Sequence, residues 1–241
     1  MRRVIPFLLV LFLSPPAFSQ EFHWGVRGGI PLSKYFRTAI NFNGAVGSST
    51  GYVSTTNRYT VGPVVEVGLP FRLGVESGAL YKRQHFSRIE FRSTSGPGFP
   101  IDISVITETT ANAWEFPFLL KFHASDRPVG TFVEVGPSLQ VLTHVQQVQT
   151  TRSFATPSPP EVIRRSGAAE LAWKSQPGFA IGGGIEFRVK SLRVSPGVRS
   201  TLWRHKSFFS KSFATFDGLL GSEQDQVEFL MGITFYLRRT T

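Results

Sequence analysis

The chain has 241 residues, 41% of them hydrophobic, with 26 Lys and Arg against 16 Asp and Glu for a formal charge of +10. That length suits one domain, and the absence of cysteine excludes disulfides and thiolate metal sites. The basic residues are scattered rather than run together, and with the export signal at the start of the chain this argues against nucleic acid as a partner.

Arg2 and Arg3 precede an apolar run from Val4 to Leu13, then Ser14-Pro15-Pro16 and the small-residue site Ala17-Phe18-Ser19. This is the charge, core and cleavage pattern of a secretory signal peptide over residues 1–19, leaving 20–241 as the mature domain. Loss of Arg2 and Arg3 with that leader lowers the charge from +10 to +8. The apolar run falls short of the roughly 20 residues that span a bilayer, and no later segment has the length or apolarity of a membrane helix. Membrane insertion would therefore have to use strands. The 23 Phe and 23 Gly suit that, because rings can face lipid while glycine relieves a narrow lumen.

Period-two alternation, aromatic and β-branched content and turn residues predict strands at about 22–30, 58–69, 71–87, 111–123, 129–144, 175–189, 191–204 and 225–238. In the second, Tyr59, Val61, Val65, Val67 and Leu69 share a face opposite Arg58, Thr60, Gly62 and Glu66. In the third, Leu73, Val75, Ala79 and Tyr81 oppose Arg72, Glu76 and Lys82. In the fourth, Trp114, Phe116, Phe118, Leu120 and Phe122 oppose Glu115, Pro117, Leu119, Lys121 and His123. The sixth sets Phe179, Ile181, Ile185 and Phe187 against Gly182, Gly184, Glu186 and Arg188. The last sets Val227, Phe229, Met231, Ile233, Phe235 and Leu237 against Glu228, Gly232, Thr234 and Tyr236.

The links alternate in length. Pro70, residues 124–128 and Lys190 mark short turns, whereas 31–57, 88–110, 145–174 and 205–224 form long polar links. Outer-membrane barrels alternate in this way, with short periplasmic turns and longer extracellular loops. The predicted fold is thus all-β, an eight-stranded antiparallel transmembrane β-barrel with apolar faces toward lipid. The inferred lumen collects Glu66, Glu76, Glu115, Glu134, Glu186 and Glu228 against Arg27, Arg72, Lys82, Lys121, Arg188, Arg193 and Arg199. A barrel of that size has room for little beyond its own side chains, so these charges are expected to pair and plug the lumen without leaving a pore.

Several segments resemble one family. Trp24-Gly25-Val26-Arg27-Gly28-Gly29-Ile30-Pro31-Leu32-Ser33 resembles its first strand, and Glu115-Phe116-Pro117-Phe118-Leu119-Leu120-Lys121-Phe122 its most recognisable segment. Val133-Glu134-Val135-Gly136-Pro137-Ser138, Gly182-Gly183-Gly184-Ile185-Glu186-Phe187 and Val194-Ser195-Pro196-Gly197-Val198-Arg199 resemble later strands. The family is that of the outer-membrane β-barrel domain proteins of Gram-negative bacteria, of small eight-stranded, porin-like architecture. The resemblance covers nearly all of the mature chain and implies a fold, an outer-membrane location and insertion by the barrel assembly machinery. It implies little about activity. Such barrels often end on an aromatic residue, whereas Phe235-Tyr236 are followed here by Leu-Arg-Arg-Thr-Thr.

No catalytic, cofactor or metal constellation stands out. The five His lack metal-ligand spacing, and glycines 182–184 lead into no helix. The best chemical candidate is Trp203-Arg204-His205-Lys206-Ser207, where His205 and Ser207 share a strand face and resemble the His-x-Ser of lipid A deacylases, with Asp217 or Glu223 available as the acid. Phe208 and Phe209 replace the Asn usual after that Ser. Aromatic girdles are expected from Phe22, Trp24, Tyr81, Phe86, Trp114, Phe116, Trp173, Trp203, Phe235 and Tyr236. Residues 145–174, with Gln146, Gln147, Gln149, Thr150, Thr151, Arg164 and Arg165, and residues 204–212 are expected as loops, in which basic and aromatic side chains face lipopolysaccharide phosphates or an unknown surface partner. The leading reading is a non-enzymatic structural or surface-interaction barrel. The alternatives are a lipid A-modifying enzyme using His205 and Ser207, and a soluble periplasmic lipid-binding barrel with its aromatic faces turned inward.

Overall fold

A computed structural model describes residues 21–36, 39–43, 48–54, 59–93, 103–125, 127–154, 159–168, 171–208 and 222–237. The expected leader, Arg58, Phe209 and Asp217 lie outside these residues. The described elements are all strands: β1 (Phe22–Pro31), β2 (Ala39–Asn43), β3 (Ser48–Ser54), β4 (Thr60–Leu69), β5 (Leu73–Gly78), β6 (Leu80–Arg92), β7 (Ile103–His123), β8 (Val129–Ser153), β9 (Glu161–Ser166), β10 (Ser175–Val189), β11 (Leu192–Trp203) and β12 (Asp225–Leu237).

The ladder closes on itself. β1 pairs with both β4 and β12, and the circuit runs through β5 and β6, β7, β8, β10 and β11 back to β12, antiparallel throughout. β5 and β6 hold one common register against both neighbours, so they form a single ring strand interrupted at Ala79. Its N–H donates to the Pro63 carbonyl at 3.1 Å. The ring therefore has eight strands. Closure removes the open edges that a free sheet would present.

Side chains alternate around this ring as the sequence pattern requires, with polarity inverted relative to a soluble sandwich. On β7, Phe116, Phe118, Leu120 and Phe122 are exposed while Glu115, Pro117, Leu119, Lys121 and His123 are buried. Val61, Val65, Phe179, Ile181, Ile185, Phe187, Met231 and Phe235 are likewise exposed, opposite buried Thr60, Glu66, Glu186 and Glu228. A closed ring that turns charge inward and aromatics outward is the arrangement a bilayer stabilises. The step from Trp114 to Phe122 covers roughly 26 Å along β7, or about 20 Å of height at a tilt of about 40°, comparable with the apolar band of such barrels. Tyr59, just before β4, lines up with Tyr81 of β6 and Trp114 of β7 near the loop end, with ring centroids 6.3 and 5.2 Å apart. Trp24 and Phe235 pair at 5.7 Å near the turn end.

Three of the expected links differ from their sequence reading. Residues expected as polar loops form strands: β2 and β3 pair as a hairpin on β6, while the upper parts of β6, β7 and β8 continue the ladder out to β9. Gln146, Gln147, Gln149, Thr150 and Thr151 thus belong to β8, and Arg164 and Arg165 to β9. β7 and β8 have 21 and 25 residues, about twice the 9–11 that cross a bilayer, so the sheet rises well beyond the membrane on one side. Glutamine and threonine hide this extension because their alternation carries no hydrophobic contrast. A bulge opposite Thr110 to Asn112 also changes the phase in β8, with His144 at φ 49°. Leu142 is buried before it and Gln147 after it.

The expected placement of Arg72 in the lumen is corrected. Phe71 and Arg72 both have positive φ, 64° and 61°, and form the tight turn between β4 and β5. Arg72 is exposed there and donates to the Ala124 carbonyl at 3.1 Å. The turn conformation rotates its side chain out of the strand's inward row.

At the loop end the mouth of the ring is filled by apolar side chains. Tyr35 and Phe36 follow β1, Phe208 follows β11, and both segments fold inward over Phe86, Ala111, Ala113 and Leu142. Phe36, Phe86 and Phe208 meet ring to ring, with centroids 4.9 to 5.6 Å apart. Two isolated bridges, Phe36 to Ser222 and Leu171 to Phe208, hold the segments in place. Phe86 and Trp203, expected in the girdles, are buried on the inner side. Each falls on the inward phase of its strand.

Candidate functional site: the charged lumen

Below the aromatic mouth, every strand of the ring contributes a charged or hydroxyl side chain to one buried network. Nearest the mouth, Lys82 of β6 and Arg199 of β11 face Glu115 of β7 and Glu228 of β12. Lys82 Nζ lies 2.5 Å from Glu115 and 2.8 Å from Glu228. Arg199 Nη2 lies 3.0 and 3.2 Å from the same two carboxylates. The four groups form a closed ring of alternating charge across the lumen. Neutral donors complete it: Thr60 and Tyr35 donate to Glu228 at 2.8 and 3.2 Å, and Ser138 donates to Glu115 at 3.1 Å.

A second tier follows. Arg27 of β1 bridges Glu76 at 2.8 Å and Glu134 of β8 at 3.1 Å. Lys121 of β7 sits between Glu66 and Glu76 at 3.3 and 3.2 Å, with the Phe132 ring 4.3 Å from its ammonium. Arg27, Phe132, Glu134, Ser195 and Arg199 line a narrow gap beside this tier. Toward the turns, Arg193 Nη2 meets Glu66 at 2.7 Å, and Arg188 meets Glu186 at 2.5 Å.

His123, on the inward phase of β7, joins this tier. Its Nδ1 lies 2.9 Å from Glu186 and its Nε2 lies 3.1 Å from Glu66. Its inward phase, two residues from Lys121, was the signal available. Tyr35 has no comparable signal, since it arrives from a link; Gln176 shares the inward phase of Glu186, but its pairing with Gln140 at 2.6 Å is set by the register between β8 and β10.

Glycine makes room for the second tier. A Cβ at Gly184 would collide with the Pro196 carbonyl and would stand 3.0 Å from the Phe132 ring, which also lies against Gly197. The run of glycines 182–184 therefore admits a large inward ring beside Lys121, and it allows close backbone approach between β10 and β11.

The catalytic candidates are not assembled as a dyad. The His205 ring stacks on Trp173 at 4.7 Å and 18°, and the buried Ser207 Oγ has no hydrogen-bond partner among the described residues. Beyond Trp203 the strand ends, so the shared face that would have aligned the pair is lost. Glu223 is half-buried. Among the described residues no group of His, Asp and Glu has the geometry to hold a metal.

A closed ring with lipid-facing aromatics and a charged interior defines a transmembrane β-barrel. Residues 18–202 match the outer membrane protein beta-barrel domain, and the chain belongs to that family and to the bacterial outer membrane. Comparison with the curated proteins gives no match. Among solved structures, the outer membrane protein OprG from Pseudomonas aeruginosa is 8% identical, with 91% of this chain and 95% of that chain covered at a TM-score of 0.41. The attachment invasion locus protein Ail of Yersinia pestis, in complex with the heparin analogue sucrose octasulfate, is 10% identical, covering 90% and 98% at 0.31. The outer membrane protease OmpT from Escherichia coli is 9% identical, covering 90% and 96% at 0.33.

Proposed function

We propose that this protein is a non-enzymatic outer-membrane barrel, closed to ions, that serves a structural or surface-interaction role through its extracellular end. The observation that carries the closed lumen is the ring of Lys82, Glu115, Arg199 and Glu228, whose members come from four different strands and leave each charge with at least two opposite partners. An ion entering would have to break pairs whose separation costs several kcal/mol, and the aromatic mouth stands over them. The extension of β6 to β9 beyond the membrane supports the surface role, since a barrel built only to span would end near Trp114. On this reading, residues 1–19 direct export and are removed, and the assembly machinery inserts residues 20–241.

The test is a pair of measurements on the purified, refolded protein. In planar lipid bilayers it should give no current steps, and its expression should leave the lipid A mass profile of the host unchanged. Reproducible ohmic steps would overturn the closed lumen. A change in lipid A acylation that disappears in a His205→Ala, Ser207→Ala variant would replace this reading with the enzymatic one.

A further inference from the structure

Outside the lumen, one surface cluster brings together residues from two separate links. The backbone of Ala172 and Trp173 runs beside the segment after β11, with both N–H groups donating to the Ser207 carbonyl at 2.8 and 3.2 Å. Arg204 N–H donates to the Pro177 carbonyl at 3.0 Å. These bonds place Trp173 and Lys174 alongside Arg204, His205 and Lys206. Trp173 is 51% exposed and stacks on His205, so a rigid aromatic plate is held within the cluster. Lys174 and Arg204 are exposed, and Lys206 is half-exposed. No ion pair to Lys174, Arg204 or Lys206 forms among the described residues.

Height in the membrane selects the partner. Ser175 pairs with Val141, and Val141 pairs with Trp114, so the cluster begins just past a cross-strand row that contains a girdle aromatic. Directly below it, Phe179 and Leu202 pair across β10 and β11 and face lipid, both about half exposed. Three cations and an interfacial Trp thus sit where the acyl chains end and the headgroups begin. In the outer leaflet of this membrane the anion at that depth is the phosphate of lipid A.

We propose that Trp173, Lys174, Arg204, His205 and Lys206 form a docking site for a lipid A phosphate, the acyl chains lying against Phe179 and Leu202. This rests on the surface-interaction reading and gives it a chemical partner. Clustered cations at a membrane surface each add to the attraction for anionic headgroups, and Trp at the interface fixes the depth.

The experiment uses the refolded full-length mature barrel in detergent micelles and reads lipid binding by native mass spectrometry. The probes are bisphosphorylated lipid A, the same lipid after removal of its phosphates, and phosphatidylethanolamine. Wild type should bind the bisphosphorylated form about tenfold or more tightly than the dephosphorylated form. A Lys174→Ala, Arg204→Ala, Lys206→Ala variant, shown to be folded by its heat-dependent gel mobility, should lose that preference. An Arg164→Ala, Arg165→Ala variant on β9 should keep it. Equal binding with and without phosphates, an unaltered triple variant, or equal loss in the β9 variant would each overturn the site. Failure here leaves the bilayer recordings silent, whereas current steps there would remove the closed lumen and leave lipid preference intact.

Discussion

Lys82→Met removes one of the two cations that hold the upper charge ring. Lys82 is fully buried and meets two carboxylates at 2.5 and 2.8 Å. Met preserves much of the length and volume but withdraws the charge, so Glu115 and Glu228 must then share Arg199 alone. Breaking a buried pair by removing one partner costs about 3–5 kcal/mol, far more than the ~1 kcal/mol or less of an exposed ion pair. We expect a loss in that range, read as a lowered midpoint in guanidinium unfolding of the barrel in micelles and checked by gel mobility. A second change, Glu228→Gln, restores one cation to one carboxylate and keeps an oxygen for the Thr60 and Tyr35 donors. The double variant should recover more than half of the loss. A Lys82→Met cost below about 1 kcal/mol, or a double variant no better than the single one, would refute the claim that these charges are desolvated and mutually compensating.

Gly184→Val should prevent or strongly slow folding into micelles, because its Cβ meets the Pro196 carbonyl and the Phe132 ring; folding at the wild-type rate would show that β10 and β11 can separate there. Phe208→Ala should raise amide exchange at Phe36 and at position 208 while the ladders of β7 and β8 keep their protection, since the segments that carry Phe36 and Phe208 are links rather than ring strands. Equal exchange throughout would mean the plug is part of the cooperative core. In single-Trp variants, brominated lipid should quench Trp24, which is 50% exposed, and leave Trp203, which is 3% exposed, unquenched. Phe71→Gly should leave stability unchanged or raise it by up to about 1 kcal/mol, because glycine tolerates the positive φ that Phe adopts in that turn; a clear loss would give the Phe71 ring an anchoring role.

Much of this fold is legible in the sequence because two contrasts are strong. The alternation on β7, Phe-x-Phe-x-Leu-x-Phe against Glu-x-x-x-x-x-Lys-x-His, fixes both strand and face, and the uneven link lengths fix the orientation of the strands. The inward carboxylates and most inward cations follow from the same phase. Arg72 fails because phase counting assumes an extended backbone, and the two residues of that turn leave it. The extension beyond the membrane is hidden because Thr, Gln and Ser look alike on both faces of a strand in water. Tyr35, Phe36 and Phe208 are invisible as lumen residues for a different reason: they enter from links, and only closure of the ring creates the space they fill. His205 and Ser207 share a spacing but not a strand, since β11 ends at Trp203.

The most direct test of the account is a nitroxide scan of β7 from Trp114 to His123, which the absence of native cysteine makes clean. With the barrel in liposomes, oxygen should relax labels at 116, 118, 120 and 122 strongly, as expected for lipid contact. Labels that fold at 115, 119, 121 and 123 should respond weakly both to oxygen and to a water-soluble nickel chelate. The opposite phase, or strong nickel relaxation along the even positions, would place the aromatic face away from lipid and contradict the membrane barrel.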